Sequence, residues 1–206
     1  MSTMSLGRHA QVAALPSHLC VFHESYAELR ARQRDFLGLA LNDRNEGALL
    51  FGAPGLPEQQ MRDLEVDLGR SLDDDVRIGK LVLIHSDPDP DVCLERYRGA
   101  LEALDQRGYA PVRAIGRCTW SLPGFPLPED QLWLELRVGE LIESSRAILL
   151  CAYDLATLPA SAVVYGGFEA HSQIVLAGQL IDNPSFIGSD RYFVDRLLHL
   201  PWLAAS

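Results

Sequence analysis

Residues 81–84, Leu-Val-Leu-Ile, follow Lys80 without a polar interruption and end at His85. Gly47–Phe51 and Ala147–Tyr153 are two further runs of the same kind. A strand with one face in water alternates apolar and polar side chains, so a continuous apolar run belongs to a strand covered on both faces. Helices supply that cover when they form the crossovers of a parallel sheet. Helical stripes lie between the runs: Tyr26, Leu29, Phe36, Leu37 and Ala40, and later Leu94, Tyr97, Leu101 and Leu104. Strands alternating with helices of this length predict an α/β fold of three layers, a mainly parallel sheet with helices on both faces.

The remaining elements follow from punctuation. Leu19–Phe22 reads as a first strand and Val112–Gly116 as another, with helices over about 58–72 and 129–144. Asp73-Asp74-Asp75 reads as an acidic turn, and Asp87-Pro88-Asp89-Pro90 as the cap of the third helix. Helix, strand and a short final helix near 192–200 complete the chain. Residues 1–16 read as a flexible lead-in, and 17–206 as one domain.

Composition narrows the function. The formal net charge is −10, with 18 basic residues against 28 acidic ones. A nucleic-acid binder needs a basic stripe to neutralise phosphates, and none is present in the sequence. Lys80 is the only lysine. Cys20, Cys93, Cys118 and Cys151 are too widely spaced for a zinc knuckle or redox dithiol, so free thiols and a cytoplasmic setting are expected. No apolar run nears the roughly 18 residues of a membrane span, and residues 1–15 lack a signal-peptide pattern.

The segment from Glu46 to Gln59 has the outline of strand, glycine-rich turn and helix in which phosphate-binding loops occur. Counted from Gly52, Pro57 stands at the second glycine, Glu58 at the lysine and Gln59 at the hydroxyl residue. Proline removes an N–H, and Glu58 puts negative charge where the phosphates would lie. An ordinary strand-to-helix turn, without nucleotide hydrolysis, is the expectation.

Candidate site residues gather at strand ends. In Ser17-His18-Leu19-Cys20-Val21-Phe22-His23, His18, Cys20 and Phe22 share one strand face. They would make either a ligand-contacting edge, or a metal site with a distant third group, or simple packing of Cys20. No common metal-ligand spacing is present, and no metal or other cofactor is expected. Cys151, Tyr153 and Asp154 end an apolar strand, where open parallel sheets place ligands; Asp154 serves equally well as a helix N-cap. Trp120 is a candidate wall for an apolar ligand, or a surface loop residue. Glu135 lies among leucines in a helix, where a glutamate is more often exposed or ion-paired than catalytic. His171 is either a titrating site residue or a favourable histidine at a helix C-terminus. Asn183-Pro184 is also a turn signal. No Gly-x-Ser-x-Gly elbow, His-Glu-x-x-His or paired-carboxylate signature is present, so no enzyme is expected.

Four segments in order resemble a known family, the MEDS sensory domain of methanogens and methylotrophs. They are HLCVFHESYAELRARQRDFLGLAL, GRCTWSL, ILLCAYDLATL and FEAHSQIVLAGQLIDNPSF, spanning about residues 17–187. The resemblance implies a RecA-like core with a degenerate phosphate loop. It further implies a role in sensing small apolar or hydrocarbon-derived molecules, in signal transduction or transcriptional regulation through a partner protein. Its motif positions fall on His18, Cys20, Trp120, Glu135, Cys151, Tyr153, Asp154, His171 and Asn183. Arg117, Cys118, Ser172 and His23 depart from its pattern. The expected site is the carboxyl edge of the sheet, walled by Trp120 and Tyr153. A protein-interaction module is the main alternative, with a thiol-dependent or nucleotide-binding enzyme after it; an apolar patch would allow an oligomer.

Overall fold

The structure, a computed structural model, describes residues 2–6, 12–118, 128–176 and 179–188. Seven strands form the main sheet. In chain order they are β3 (Ser17–His23), β4 (Gly47–Gly52), β5 (Leu81–His85), β6 (Val112–Arg117), β7 (Ala147–Asp154), β8 (Gln173–Leu176) and β9 (Gln179–Asp182). Their spatial order is β5-β4-β6-β7-β3-β8-β9, parallel throughout except for the antiparallel pair β8 and β9. The last two strands form a hairpin where the sequence predicts one strand. Residues 177–178 between them and the helix expected near 192–200 lie outside the described residues. Within the segment read as a lead-in, β1 (Ser2–Ser5) and β2 (Val12–Leu15) pair antiparallel as a separate ribbon.

Side-chain alternation divides the core into two layers. Leu19, Val21, Ala48, Leu50, Ile115, Ile148, Leu150 and Ala152 face α1 (Tyr26–Asn42) and α2 (Leu56–Leu68). Cys20, Phe22, Leu49, Phe51, Ala114, Leu149, Cys151 and Tyr153 face α4 (Pro90–Gln106) and α5 (Pro128–Glu143). The unbroken apolar runs thus have helices on both sides, and the fold is three-layer α/β. The acidic segment expected as a turn forms a short helix, α3 (Asp73–Arg77), because three carboxylates in a first turn complement the helix dipole.

Capping residues set the helix boundaries. Ser25 accepts from the Glu28 N–H at the start of α1, and Asp89 accepts from the Asp91 N–H at the start of α4. The ammonium of Lys80 is buried and donates to the carbonyls of Leu41 (3.0 Å) and Asp43 (2.5 Å) at the end of α1. Arg113, buried in β6, pairs with Glu46 at 2.5 Å and also donates to the Ser5 carbonyl, tying β1 to the sheet. Gly55 precedes α2 at φ 86°, a left-handed conformation that costs glycine nothing. In the first turn of α2, Glu58 meets His85 Nε2 at 2.6 Å.

Candidate functional site

Register brings the polar residues of distant segments together. Cys20 pairs with Cys151, Phe22 with Tyr153 and His18 with Leu149 across β3 and β7. All six side chains therefore emerge on the α5 face of the sheet. Helix α5 lies over them and points Glu135 inward, between the buried Leu134 and Leu136. After β7 the chain enters a π-helix, Ala162–Phe168, then passes through His171 into β8.

The result is a tight polar cluster under α5. One donor atom from each of His18, Glu135, Cys151 and His171 lies within 4.8 Å of the other three. His18 Nε2 is 3.1 Å from Cys151 Sγ and 3.8 Å from Glu135 Oε2. Cys151 Sγ is 3.5 Å from Glu135 Oε2, and His171 Nε2 is 3.8 Å from Glu135 Oε1. The Tyr153 hydroxyl donates to Glu135 Oε1. The two imidazole rings lie 4.1 Å apart, centroid to centroid. Exposure of the His18, Glu135 and His171 side chains is 8%, 6% and 0%, which leaves almost no water to solvate them.

Burial sets the protonation of the cluster. It pushes the Glu135 carboxyl up to about 7, against the hydrogen bonds from Tyr153 and Cys151 that favour the ionised form. It pulls His171 down to about 4, opposed by the carbonyls its ring contacts. His18 is held well below the usual imidazole range by burial and then by His171. Burial, followed by the Glu135 charge, holds both Cys20 and Cys151 well above the ordinary thiol value. Near neutral pH the histidines are uncharged and the cysteines are thiols.

The backbone fixes the orientation of His171. Its Nδ1 sits 3.0 Å from the Gly166 carbonyl and 3.1 Å from that of Gly167, at the end of the π-helix. These carbonyls require Nδ1 to carry the proton, so Nε2 presents a lone pair to the cluster. Nε2 is buried and has no hydrogen-bond partner. Asn183 holds the flanking chain by donating to the carbonyls of His171 (2.7 Å) and Phe168. Gly167 permits the close approach of the π-helix to β3. A Cβ there would fall 2.8 Å from the Phe22 ring and 3.5 Å from Cys20 Sγ.

Two voids border the cluster. A cavity of about 20 Å³ reaches Glu135 and Cys151 from the carboxyl ends of β4 and β6, past Phe51, Gly116 and Cys118. A cleft of about 370 Å³ lies on the opposite side of His18, lined by Gly139, Glu143, Ala170, Ser172 and Phe186 among others.

The residues expected from sequence therefore separate into groups. His18, Glu135, Cys151 and His171 converge, and Tyr153 joins them through Glu135. Cys20 is fully buried beside them against Gly167, outside the four-atom group. Asp154 lies away from the cluster; its carboxylate accepts from the Ala156 N–H (3.0 Å) and lies 3.9 Å from Arg117. Asn183 acts on the His171 backbone. Trp120 lies outside the described residues. The expected carboxyl-edge location changes as well. His18 is the second residue of β3, and the cluster lies buried beneath α5; among the described residues the small cavity leads from it to that edge. Sequence reading missed the Gly166 and Gly167 carbonyls; their signal was the adjacent glycine pair, which marks a close backbone approach.

No curated protein matches the chain. A family model does match, over residues 17–166, most of the chain and three of the four converging residues. His171 lies just beyond the matched span. The chain belongs to the MEDS family, described as the methanogen/methylotroph, DcmR sensory domain.

Proposed function

We propose that this domain senses a small molecule at the His18–Glu135–Cys151–His171 cluster and signals through a partner protein, without catalysing a reaction. The observation that carries the reading is the burial of four polar side chains on an otherwise apolar sheet face. A hydrophobic quartet would pack there at lower cost, so the cluster is best explained by what it binds. Membership of a sensory-domain family supports the same role. The cleft beside His18 falls in the size range of small-molecule sites, and its lining, Leu136, Ala170 and Phe186 together with Glu140, Glu143 and Ser172, suits a small hydrocarbon-derived ligand that carries a polar group.

Thiol chemistry is disfavoured because burial keeps Cys20 and Cys151 protonated, and the thiolate is the nucleophile. Nucleotide binding at the Gly52–Glu58 turn is disfavoured by the Glu58 carboxylate in the first turn of α2, which pairs with His85 where a phosphate would need positive charge. In this reading the fold is a RecA-like core whose phosphate loop has degenerated. The formal charge of −10 favours a protein partner over direct nucleic-acid contact. Signalling requires unequal ligand affinity for two states. The π-helix and the Asn183-anchored segment, which both hold His171, are the elements a ligand would bias.

The test is an amide chemical-shift titration of the full chain with one- to four-carbon halogenated and oxygenated hydrocarbons. Saturable shifts at Gly139, Ala170 and Ser172, weakened at least tenfold by His18→Ala, are expected. A panel that gives no saturable shift, or shifts indifferent to His18→Ala, overturns the reading.

A further inference from the structure

We infer that His18, Glu135, Cys151 and His171 bind one divalent transition-metal ion, zinc by preference, with His18 Nε2, His171 Nε2, Cys151 Sγ and a Glu135 oxygen as ligands. The inference rests on reading this cluster as the binding site and names what it holds first.

Geometry is the first support. Zinc bonds of about 2.0–2.1 Å to nitrogen, 2.3 Å to sulfur and 2.0–2.2 Å to oxygen give tetrahedral edges of roughly 3.3–3.6 Å. Four of the distances between donor atoms here are 3.1, 3.5, 3.8 and 3.8 Å, the last two to the two different Glu135 oxygens, and one donor atom from each residue lies within 4.8 Å of the others. Side-chain rotations that shorten the widest separation by about 1 Å would close them onto one ion. Four side chains from β3, α5, β7 and the segment before β8 already converge without one.

The second support is the unpartnered Nε2 of His171. A buried ring nitrogen with no hydrogen-bond partner carries a desolvation cost that folding would normally avoid. Its Nδ1 is pinned by two backbone carbonyls, the arrangement that fixes the tautomer and aim of a metal-ligating histidine. Tyr153 does the same for Glu135.

Charge balance is the third. Binding displaces the Cys151 thiol proton to solvent, and the Glu135 proton where it is present. One thiolate and one carboxylate then cancel a divalent charge, while both imidazoles bind neutral. The buried assembly carries no net charge, which its nearly dry surroundings demand. The mixed nitrogen, sulfur and oxygen set suits a borderline ion such as zinc and disfavours magnesium or calcium. The cavity of about 20 Å³ beside Glu135 and Cys151 holds about one water, or the donor atom of a ligand reaching the ion.

The experiment uses the full chain, stripped with a chelator and titrated with cobalt(II) alone, then with zinc(II) alone. One equivalent of cobalt should produce a thiolate-to-metal charge-transfer band with tetrahedral visible absorption, and zinc should abolish both. Cys20→Ser should keep the band. Cys151→Ser should lose it, and His171→Gln should weaken binding by at least tenfold. Should Cys151→Ser fail to fold, the wild-type stoichiometry and the zinc-induced rise in Tm decide. A folded chain with no thiolate band, or a band that survives Cys151→Ser and vanishes in Cys20→Ser, overturns the inference. Repeating the hydrocarbon titration on the stripped and loaded chain separates the two readings. Metal uptake without any ligand shift supports the metal site and overturns sensing. Ligand shifts in a chain that takes up no metal overturn the metal site and leave sensing standing.

Discussion

Tyr153 and Glu135 are joined by a hydrogen bond in which the buried phenol donates to the buried carboxyl, linking the carboxyl end of β7 to the inner face of α5. The bond leaves the second carboxyl oxygen facing Cys151 and His18. Removing the donor strands an acceptor that water cannot reach. Tyr153→Phe should destabilise the chain by about 1–3 kcal/mol in urea unfolding with an unchanged m-value. A change below about 0.5 kcal/mol would mean that the bond is not held in solution.

Gly167 lies where the π-helix meets β3. A methyl group there meets the Phe22 ring, which is itself stacked on Phe168 at 4.8 Å and cannot retreat freely. Gly167→Ala should cost about 1–3 kcal/mol through this overpacking. It should also shift the amide resonances around His171, since the Gly166 and Gly167 carbonyls hold that ring. Normal stability in thermal melts would show that the helix can lift from the sheet.

Lys80 is a structural cation. It neutralises and hydrogen-bonds the carboxyl end of α1, where no basic residue occupies the last turn. Lys80→Met keeps the apolar stem and removes the Lys80 donor from the Asp43 carbonyl, while the Leu41 carbonyl keeps the Arg70 guanidinium at 3.1 Å. A loss of about 2 kcal/mol is expected, with hydrogen exchange accelerated at the end of α1. Exchange that stays uniform along α1 would argue against this role.

Tyr26 contributes to the alkaline limb beside the buried Tyr97 and Tyr153, whose phenols burial also pushes up. Burial, together with donation to the Asp63 carboxylate, pushes its phenol up to about 12. The unfolded phenol ionises near 10, so between about 10 and 12 the folded state holds a proton that the unfolded state has lost. Stability from this group is fully present below about 10 and falls as pH rises to about 12. The phenol is only partly buried, so the screened contribution is about 1 kcal/mol or less. Tyr26→Phe should give a shallower decline of Tm across that window; an identical slope would refute the assignment.

The sheet was legible because its strands are read by composition alone. Leu81–Ile84 and Ala147–Tyr153 are apolar at every position, and only double-sided burial explains that. The hairpin β8 and β9 was harder, since exposed Leu176 and Ile181 blur its alternation. The short helix α3 was hidden because five residues carry no period. In the site, strand geometry put His18 and Cys20 on one face, while the partner of that face depended on strand order, which no local pattern encodes. Glu135 was the clearest case. Its helix and neighbours were evident, yet whether a glutamate among leucines faces water or the sheet depends on how α5 is rotated onto β3 and β7.

The cluster joins positions as distant in the chain as His18 and His171, at opposite ends of the residues that form it. None of its four donors is adjacent to another before the sheet is complete. Whatever binds there binds only the finished fold, so it acts as a clasp on the whole polypeptide. At a hundredfold excess over its Kd, such an occupant adds about 2.7 kcal/mol to folding stability. In a cell that surveys its proteins by proteolysis, occupancy would set how long each copy survives, and the amount of this domain would itself become a record of the molecule it meets.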